Sequence, residues 1–424
     1  MTFKYNNVYF NETSTVTGPY EAKGPFKKYY DKTYDNLHFD MPTFEQSESK
    51  IIVESVDILL SKINKLRTSI DVHISGDLLN QIVATNYAAS SIGIPLIGIY
   101  SACSTSVLGL IIGSNMIDSK QIKNCIVSVS SHNNSSEKQF RQPIEYGGPK
   151  RQSSTFTTTG ACSAYLSNNR MGLKVESATL GKVVDMGVTD STNMGAVMAP
   201  AAAKTIYEHL KETKRKANYY DLILTGDLGI YGKEILKEYM EIEYNIKLNN
   251  YDDAACMIYD LNKQPVHAGG SGPACLPLVF YGYIFDKMKK GEIERILLVA
   301  TGALLSTTMV NQKLSIIVKF NGMQKKIFLK DIYYIESNNK KVVFHTSDGE
   351  VSSYGKMDEW EKELGDSFYR CHRGYLVNLE KITAYNVDTI DIINGDSLIL
   401  AQKKYSDFIK AYMRYAKDGG IVNV

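Results

Sequence analysis

Cys103 stands just ahead of Thr105-Ser-Val-Leu-Gly-Leu-Ile-Ile-Gly-Ser-Asn-Met-Ile117, a run apolar on nearly every face that predicts a buried central helix. A thiol at a helix N-terminus meets the positive end of the macrodipole and free backbone N–H groups, and both favour the thiolate as a nucleophile. Free cysteine is also among the most often buried residues, so an inert core thiol is the competing reading. His267, in the turn Val266-His-Ala-Gly-Gly-Ser-Gly272, is the candidate base for Cys103. A second set is cationic: His132, Lys138 and Arg141 lie in one stretch, and the Arg141 fork can hold a carboxylate bidentately. Lys138 equally fits a solvated surface lysine, and His132, ending an apolar strand, a satisfied core histidine. A third set lies downstream. Asn338, Asn339, Lys340 and Lys341 occupy one turn, and Arg370, Arg373, Lys403 and Lys404 add two further cationic clusters. Asparagine amides can address adenine edges, and lysines can address phosphates or guanine. Neither histidines nor acids cluster at metal-ligand spacing, so no metal and no cofactor is expected.

The elements that must carry these residues repeat. Asp71-Val-His-Ile-Ser-Gly-Asp77-Leu78 returns as Asp221-Leu-Ile-Leu-Thr-Gly-Asp227-Leu228, each an apolar strand run closed by a glycine turn. Gly98-Ile-Tyr-Ser-Ala-Cys103 then opens one apolar helix and Gly269-Gly-Ser-Gly-Pro-Ala-Cys275 another. Strands Cys125–Ser131 and Ile296–Gly302 follow, so each half reads as strand, small-residue turn, buried helix, strand. Two such halves facing each other make one site.

At 424 residues the chain exceeds one ordinary core. Residues 1–312 predict an α/β domain with halves of about 1–180 and 181–312. From 314 to 424 short β-rich runs follow one another, with hairpin turns at Asp348-Gly349 and Asn394-Gly395 and one helix near Asp358 to Leu364. The net charge of +2 neither demands nor excludes nucleic acid. Six cysteines, at 103, 125, 162, 256, 275 and 371, lack paired spacing and suit reduced thiols in a cytoplasm. The N-terminus lacks an apolar signal core, and no run approaches the roughly 18 apolar residues of a membrane span, so any membrane contact is expected to be peripheral.

Tyr100-Ser-Ala-Cys103-Ser-Thr within duplicated halves resembles the thiolase and ketoacyl-synthase III superfamily, which implies thiolase-like duplicated αβαβα layers and an acyl-carrying Cys103. Ser130-Ser-His132-Asn, Glu137-Lys-Gln-Phe-Arg141, Glu145-Tyr-Gly-Gly148, Thr225-Gly-Asp227-Leu, Val266-His267-Ala-Gly-Gly-Ser-Gly272 and Thr301-Gly-Ala-Leu-Leu-Ser306 resemble the stage V sporulation protein AD family. That resemblance implies binding and uptake of dipicolinic acid, alone or as a calcium chelate, during spore formation. It implies a ligand set drawn from Cys103, His132, Lys138, Arg141, Asp227 and His267. It also implies a homodimer in the cytoplasm, or peripheral at the spore inner membrane beside a membrane-embedded transport partner. Condensing enzymes of this fold supply a histidine and an asparagine where this chain has Thr225-Gly226-Asp227 and Gly269-Gly270. Without those donors oxyanion stabilisation weakens, which favours a non-catalytic binding protein. The alternative is an acyltransferase or condensing enzyme using Cys103, with His267 as substitute base.

Asp331-Ile-Tyr-Tyr-Ile-Glu336-Ser-Asn-Asn, Phe368-Tyr-Arg370-Cys-His372-Arg373-Gly-Tyr-Leu-Val377-Asn378 and Gln402-Lys403-Lys404-Tyr405 resemble the LytTR DNA-binding domain. This implies a mostly-β transcription-regulation module that reads double-stranded DNA through loops. From 314 onward 16 Lys and Arg face 15 Asp and Glu, so the region is not globally basic. Its acids gather in Asp358-Glu-Trp-Glu-Lys-Glu363, which is expected to stand away from the basic loops. One departure concerns the junction. Leu314-Ser-Ile-Ile-Val-Lys fits either the closing strand of the second half or the first strand of the next domain, and an unfilled place would leave backbone groups exposed.

Overall fold

The computed structural model describes residues 1–140, 151–186, 188, 193–303, 315–320 and 322–418. The chain forms two compact units, Met1–Leu304 and Leu305–Val424.

The first unit is a duplicated layer structure. Its first half contains β1 (Tyr9–Thr17), α1 (Phe44–Ile63), β2 (Val72–Gly76), α2 (Val83–Ile92), β3 (Leu96–Gly98), α3 (Thr105–Asp118), β4 (Asn124–Ser131), α4 (Asn133–Phe140) and β5 (Gly160–Ser167). Its second half contains α5 (Met194–Thr213), β6 (Leu222–Thr225), α6 (Gly229–Tyr244), β7 (Tyr251–Asp253), the helix α7 and β8 (Ile296–Val299). In α7, turns Cys275–Pro277, Leu278–Ile284 and Phe285–Lys289 run on, the middle one wound as a π-helix.

The long strands of the first sheet lie in the order β3-β2-β4-β5-β1. β2 is parallel to β3 and β4, and β5 is antiparallel to β4 and β1. The second sheet has the order β7-β6-β8, all parallel. Alternation along a strand explains the layers. Cys125, Val127 and Val129 of β4 turn into a central cluster with Leu276, Leu278 and Phe280 of α7, whereas Ile126 turns outward to Ile52, Val56 and Leu59 of α1. On the other side Ile223 and Val299 meet Met198, Ile206 and Leu236 of α5 and α6. The result is helix, sheet, helix, sheet, helix.

The repeat is exact in places. One offset separates Phe44 from Met194, Ile63 from Thr213 and Val72 from Leu222, and both helices end on left-handed residues, Asn64 (φ 50°) and Lys214 (φ 56°). Asp71 accepts from the backbone N–H of Lys123 at 2.7 Å, and its counterpart Asp221 accepts from Arg295 at 2.9 Å. Each carboxylate thereby clips its first strand to the strand that follows the central helix.

The second unit is mostly β. It starts with the hairpin β9 (Ser315–Phe320) and β10 (Met323–Phe328), paired antiparallel along their whole length. Next come β11 (Ile332–Asn338), β12 (Lys341–Thr346), β13 (Gly349–Tyr354), α8 (Met357–Leu364), β14 (Phe368–His372), β15 (Tyr375–Asn378), β16 (Ile382–Tyr385), β17 (Thr389–Ile392), β18 (Ser397–Ile399) and α9 (Tyr405–Asp418). The main antiparallel sheet runs β13-β12-β11-β15-β14, and β16-β17-β18 forms a smaller one. Ile316 and Val318 of β9 share a core with Val351 and Trp360, so the described part of this run, from Ser315, supplies a strand to this unit, and Leu314 lies outside the described residues. Gly349 (φ 106°) and Gly395 (φ 94°) take the left-handed backbone at the two glycine turns.

Candidate functional site

Cys103 is 6% exposed and sits in the turn Ala102–Ser104 that leads into α3. The turn is tightly tied. Thr105 Oγ1 donates to the Ala102 carbonyl at 2.6 Å, and Ser104 Oγ donates to the Ser101 carbonyl at 2.7 Å. Ala102 is held at φ 46°, a conformation that costs an L-residue roughly 1–3 kcal/mol and persists only where surroundings enforce it. Gly302 packs on this turn, since a Cβ there would lie 2.6 Å from the Ser101 carbonyl oxygen. The thiol precedes a helix of 14 residues, so the dipole argument applies to it.

Cys275 is its counterpart, opening α7, and it is fully buried. Burial raises the Cys275 thiol well above its ordinary value, and Asp227, Asp253 and Cys103 add to the rise. Its Sγ contacts the Gly226 carbonyl at 3.3 Å. The glycines where the resemblance leads one to expect a donor are tightly packed. A Cβ at Gly270 would meet Ile258 Cγ2 at 2.9 Å and Cys275 Sγ at 3.0 Å, and one at Gly269 (φ 117°) would meet the Ala255 carbonyl at 2.5 Å. Thr225 is wholly buried and gives its hydroxyl proton to Asp253 Oδ2 at 2.6 Å.

The other first-unit residues fall at different depths. His132 has no exposed surface, donates from Nε2 to the Leu37 carbonyl at 2.8 Å and packs between Phe39 and Phe44. Burial lowers its pKa to about 4, so it is neutral. Lys138 is exposed on α4, with Nζ 3.8 Å from Glu45. His267 is half-buried at φ 52° on the turn before the short strand Gly270–Ser271. Asp227 is fully buried; burial first and Asp253 second push its carboxyl well above the usual range, against a backbone hydrogen bond from Gly272. Arg141 lies outside the described residues.

Several buried acids around this centre carry no signal in a single sequence. Glu48 accepts from Ser130 and Ser135, each at 2.9 Å, and is raised to about 8 by burial and by neighbouring Asp77. Glu21 is raised to about 7 by burial, although Tyr259 and the Thr159 N–H both donate to it. Glu21 and Tyr259 come from opposite halves, so this bond staples the duplicated halves together. Only Asp77 and Asp227 could have been found beforehand, because the repeat marks them. Among the described residues no group of three metal-ligating side chains forms.

In the second unit three turns converge. Asn339 (φ 57°) and Lys340 form the tip between β11 and β12, and Arg373-Gly374 forms the tip between β14 and β15. The Ser337 N–H donates to the Gly374 carbonyl at 2.8 Å, so these tips are neighbours. The Ala401 N–H donates to the Cys371 carbonyl at 3.0 Å, which brings Lys403 and Lys404 alongside. Asn338, Asn339, Lys340, Lys341, Arg373 and Lys403 are exposed. Lys404 is half-buried and donates to the Arg370 carbonyl at 2.7 Å. The acidic helix does not stand apart from the basic loops, contrary to expectation. Arg370 pairs with Asp358 and, at 3.1 Å, with Glu361, because β14 passes directly beside α8.

Comparison with known proteins finds two matches, the first of which runs past the first unit into β9. Residues 1–318 match the profile of Stage V sporulation protein AD, and residues 323–413 match the LytTr DNA-binding domain. Stage V sporulation protein AD of Bacillus subtilis is 42% identical over 306 residues, which is 72% of this chain and 90% of the relative. A substituted form of Xanthomonas campestris OleA aligns over 71% of this chain and 97% of its own at 13% identity, with a TM-score of 0.50, a likeness of fold alone. A LytTr DNA-binding domain from Bacillus cereus is 25% identical, covers 23% of this chain and 96% of its own, and has a TM-score of 0.22.

Proposed function

The chain belongs to the stage V sporulation protein AD family and carries a LytTr DNA-binding domain behind that match, and from this premise we propose that its first unit binds dipicolinate without acyl transfer while its second unit holds a specific DNA site. One observation carries the non-catalytic half of the reading. The Cys103 turn is kept, yet a side chain at Gly269 or Gly270 would collide with its neighbours, and Thr225 is committed to Asp253. An oxyanion hole needs donors at those places. For a flat dianion, alone or as its calcium chelate, Arg141 and Lys138 supply positive charge, and Cys103, Asp227 and His267 line the duplicated centre. His132 acts behind them, because its Nε2 is engaged by Leu37. The protein works as a homodimer in the cytoplasm or at the spore inner membrane, beside a membrane-embedded transport partner. Among the described residues no helix is long and apolar enough to cross a membrane.

The acyltransferase reading draws on the positive φ at Ala102, since strain of this kind gathers at active sites. Two measurements separate the readings. Titration calorimetry with dipicolinate is expected to show saturable binding that falls at least tenfold in Arg141→Ala, and absence of binding heat overturns the proposal. Intact mass after incubation with acyl-CoA thioesters of several chain lengths is expected to be unchanged. An adduct lost in Cys103→Ser establishes the enzyme instead. For the second unit, selection from random duplexes with the full chain is expected to enrich a motif. Arg373→Ala is expected to weaken binding to that motif by about 1–3 kcal/mol.

A further inference from the structure

In the second unit the turns that carry the basic residues meet at a fault in the main sheet. The register of β14 against β15 runs Phe368↔Asn378, Tyr369↔Val377 and then His372↔Tyr375, so Arg370 and Cys371 together face the single residue Leu376. A bulge of this kind takes backbone groups out of the ladder and turns them aside. Both carbonyls of this one go to the turn Gln402–Lys404. The Cys371 carbonyl accepts from the Ala401 N–H at 3.0 Å, and the Arg370 carbonyl accepts from Lys404 Nζ at 2.7 Å. The Arg370 guanidinium reaches the other way. One terminal nitrogen donates to the Arg373 carbonyl at 3.0 Å, and the other donates to Asp358 and, at 3.1 Å, to Glu361 of α8. The Arg370 side chain is only 20% exposed, whereas Arg373 stands exposed at the tip. Beyond Arg373, the Gly374 carbonyl accepts from the Ser337 N–H, so this chain of bonds ends at the Asn338-Asn339 turn.

We propose that Arg370 does not touch DNA and is instead the positioning residue of the reading surface: anchored on α8, it fixes the Arg373 turn and, through the bulge carbonyls, the distance from that turn to Lys403 and Lys404. The inference rests on the reading of the second unit as a module that holds a specific DNA site. A side chain that reads a base has to be held to about 0.5 Å by what surrounds it. At the bulge the strand ladder does not supply that support, and the guanidinium does. Its planar fork presents donors on two sides, so it spans two carboxylates and a carbonyl at once, a reach that the compact ammonium of lysine matches less well. Turning to a phosphate would mean giving up all three acceptors and releasing the tip that carries Arg373. The carboxylates of Asp358 and Glu361, which on their own would only repel a phosphate backbone, are the fixed end of the strut.

The test uses the full-length chain with two duplexes, one carrying the motif it selects and one changed at the base whose preference Arg373→Ala abolishes. The ratio of the two affinities measures discrimination. Arg370→Ala is expected to lower that ratio at least fivefold, to leave the slope of log affinity against log salt unchanged, and to lower the ratio no further in a chain already carrying Arg373→Ala. Arg370→Lys keeps the charge and is expected to recover less than half of the loss. Asp358→Asn combined with Glu361→Gln is expected to lower the ratio too, although losing two negative charges strengthens binding to both duplexes. A salt slope smaller by about 1 in Arg370→Ala marks a lost phosphate contact and overturns the proposal. A ratio that rises when the two acids are neutralised overturns it as well, because the released guanidinium would then be reading DNA, and so does a multiplicative loss in the double variant. Hydrogen exchange without DNA separates the strut from the reading it rests on. Arg370→Ala is expected to quicken exchange of the Ser337 amide, which is bonded to Gly374, at least tenfold relative to that of the buried Phe344. Unchanged Ser337 exchange overturns the proposal whatever the duplexes show. If the parent chain prefers no duplex, the DNA reading falls and the proposed role falls with it, even where quickened exchange establishes the strut.

Discussion

Cys103 and Cys275 occupy the same point of a duplicated plan, yet their surroundings have parted. Each follows a glycine-bounded strand and opens a central helix. Around Cys103 the turn is strained and hydroxyl-rich, whereas Cys275 is sealed under Gly226 and Gly270 with two buried aspartates nearby. Duplication therefore conserves backbone geometry more readily than chemistry. The matched glycines Gly76 and Gly226 give the sharpest way to break this comparison. A Cβ at Gly76 would lie 2.0 Å from the Ile99 carbonyl oxygen, which is backbone, but one at Gly226 would lie 3.1 Å from the Leu276 side chain. Gly76→Ala is expected to cost about 3 kcal/mol or more, and Gly226→Ala less than about 1 kcal/mol. Chemical denaturation of the full chain, followed through the first-unit transition, checks both. Equal losses would mean that the halves are packed alike.

Buried carboxylates sharpen the contrast next. Asp77 accepts from the N–H groups of Leu79 and Thr85 at 2.8 and 2.7 Å, holding the turn after β2. In the second half the equivalent turn after β6 is held by Asp253, which accepts from Leu228 and Gly229 at 3.2 and 2.9 Å, while Asp227 is buried beside it. Asp253→Asn exchanges one acceptor oxygen for a donor facing backbone N–H groups. A loss of about 2 kcal/mol is expected, visible at every pH. Burial and Asp253 push the Asp227 carboxyl towards its neutral form, so Asp227→Asn changes its charge less and is expected to cost less than half as much.

The residues explain why some of this could be read in advance. The repeated Gly-Asp-Leu turns announced the duplication, and the apolar run after Cys103 announced a buried helix because sequence period and environment are tightly linked there. The DNA-binding likeness and the hairpin glycines were legible for the same local reason. Partnership at a distance was not. Ser315–Phe320 is a β-branched run with no mark of which sheet it joins, and the structure pairs it with Met323–Phe328. Glu21, Glu48 and Asp253 resemble surface acids until the fold closes over them. Arg370 looked free because its partners are in another element, and charge runs say nothing about what passes beside them.

Thiol chemistry tests the comparison at its origin. At pH 8 iodoacetamide is expected to modify Cys103 at least tenfold faster than Cys275, measured by peptide mass after timed quenching. Burial holds the Cys275 thiol protonated, and only the thiolate attacks. Equal rates would mean that the second centre opens as readily as the first, which would remove the basis for assigning the ligand site to Cys103.

The smallest expected effect is a pH slope. Glu48 has an ordinary value of 4.5 and is raised to about 8 in the folded chain, by burial first and by Asp77 second. Below pH 4.5 both folded and unfolded states hold the proton, and the contribution of this group is fully present. Between 4.5 and 8 the folded state keeps a proton that the unfolded state has released, so stability declines as pH rises. His73 and His132 act in the opposite direction. Burial lowers both from 6.5 to about 4, so they reduce stability as pH falls through that interval. Above pH 6.5 the histidines are neutral in both states, so the raised carboxyls set the slope until the buried thiols, raised in the same sense, add to it near pH 8. The first-unit melting temperature is therefore expected to fall by at least about 2 °C from pH 6.5 to 8.5. Glu48→Gln should flatten that fall, because Ser130 and Ser135 carry hydroxyls that can accept from an amide as well as donate to it. An unchanged slope in Glu48→Gln would assign the pH response to Glu21, raised to about 7 at the seam between the halves. The first-half acid cluster would then have no more influence on stability than its counterpart around Asp227.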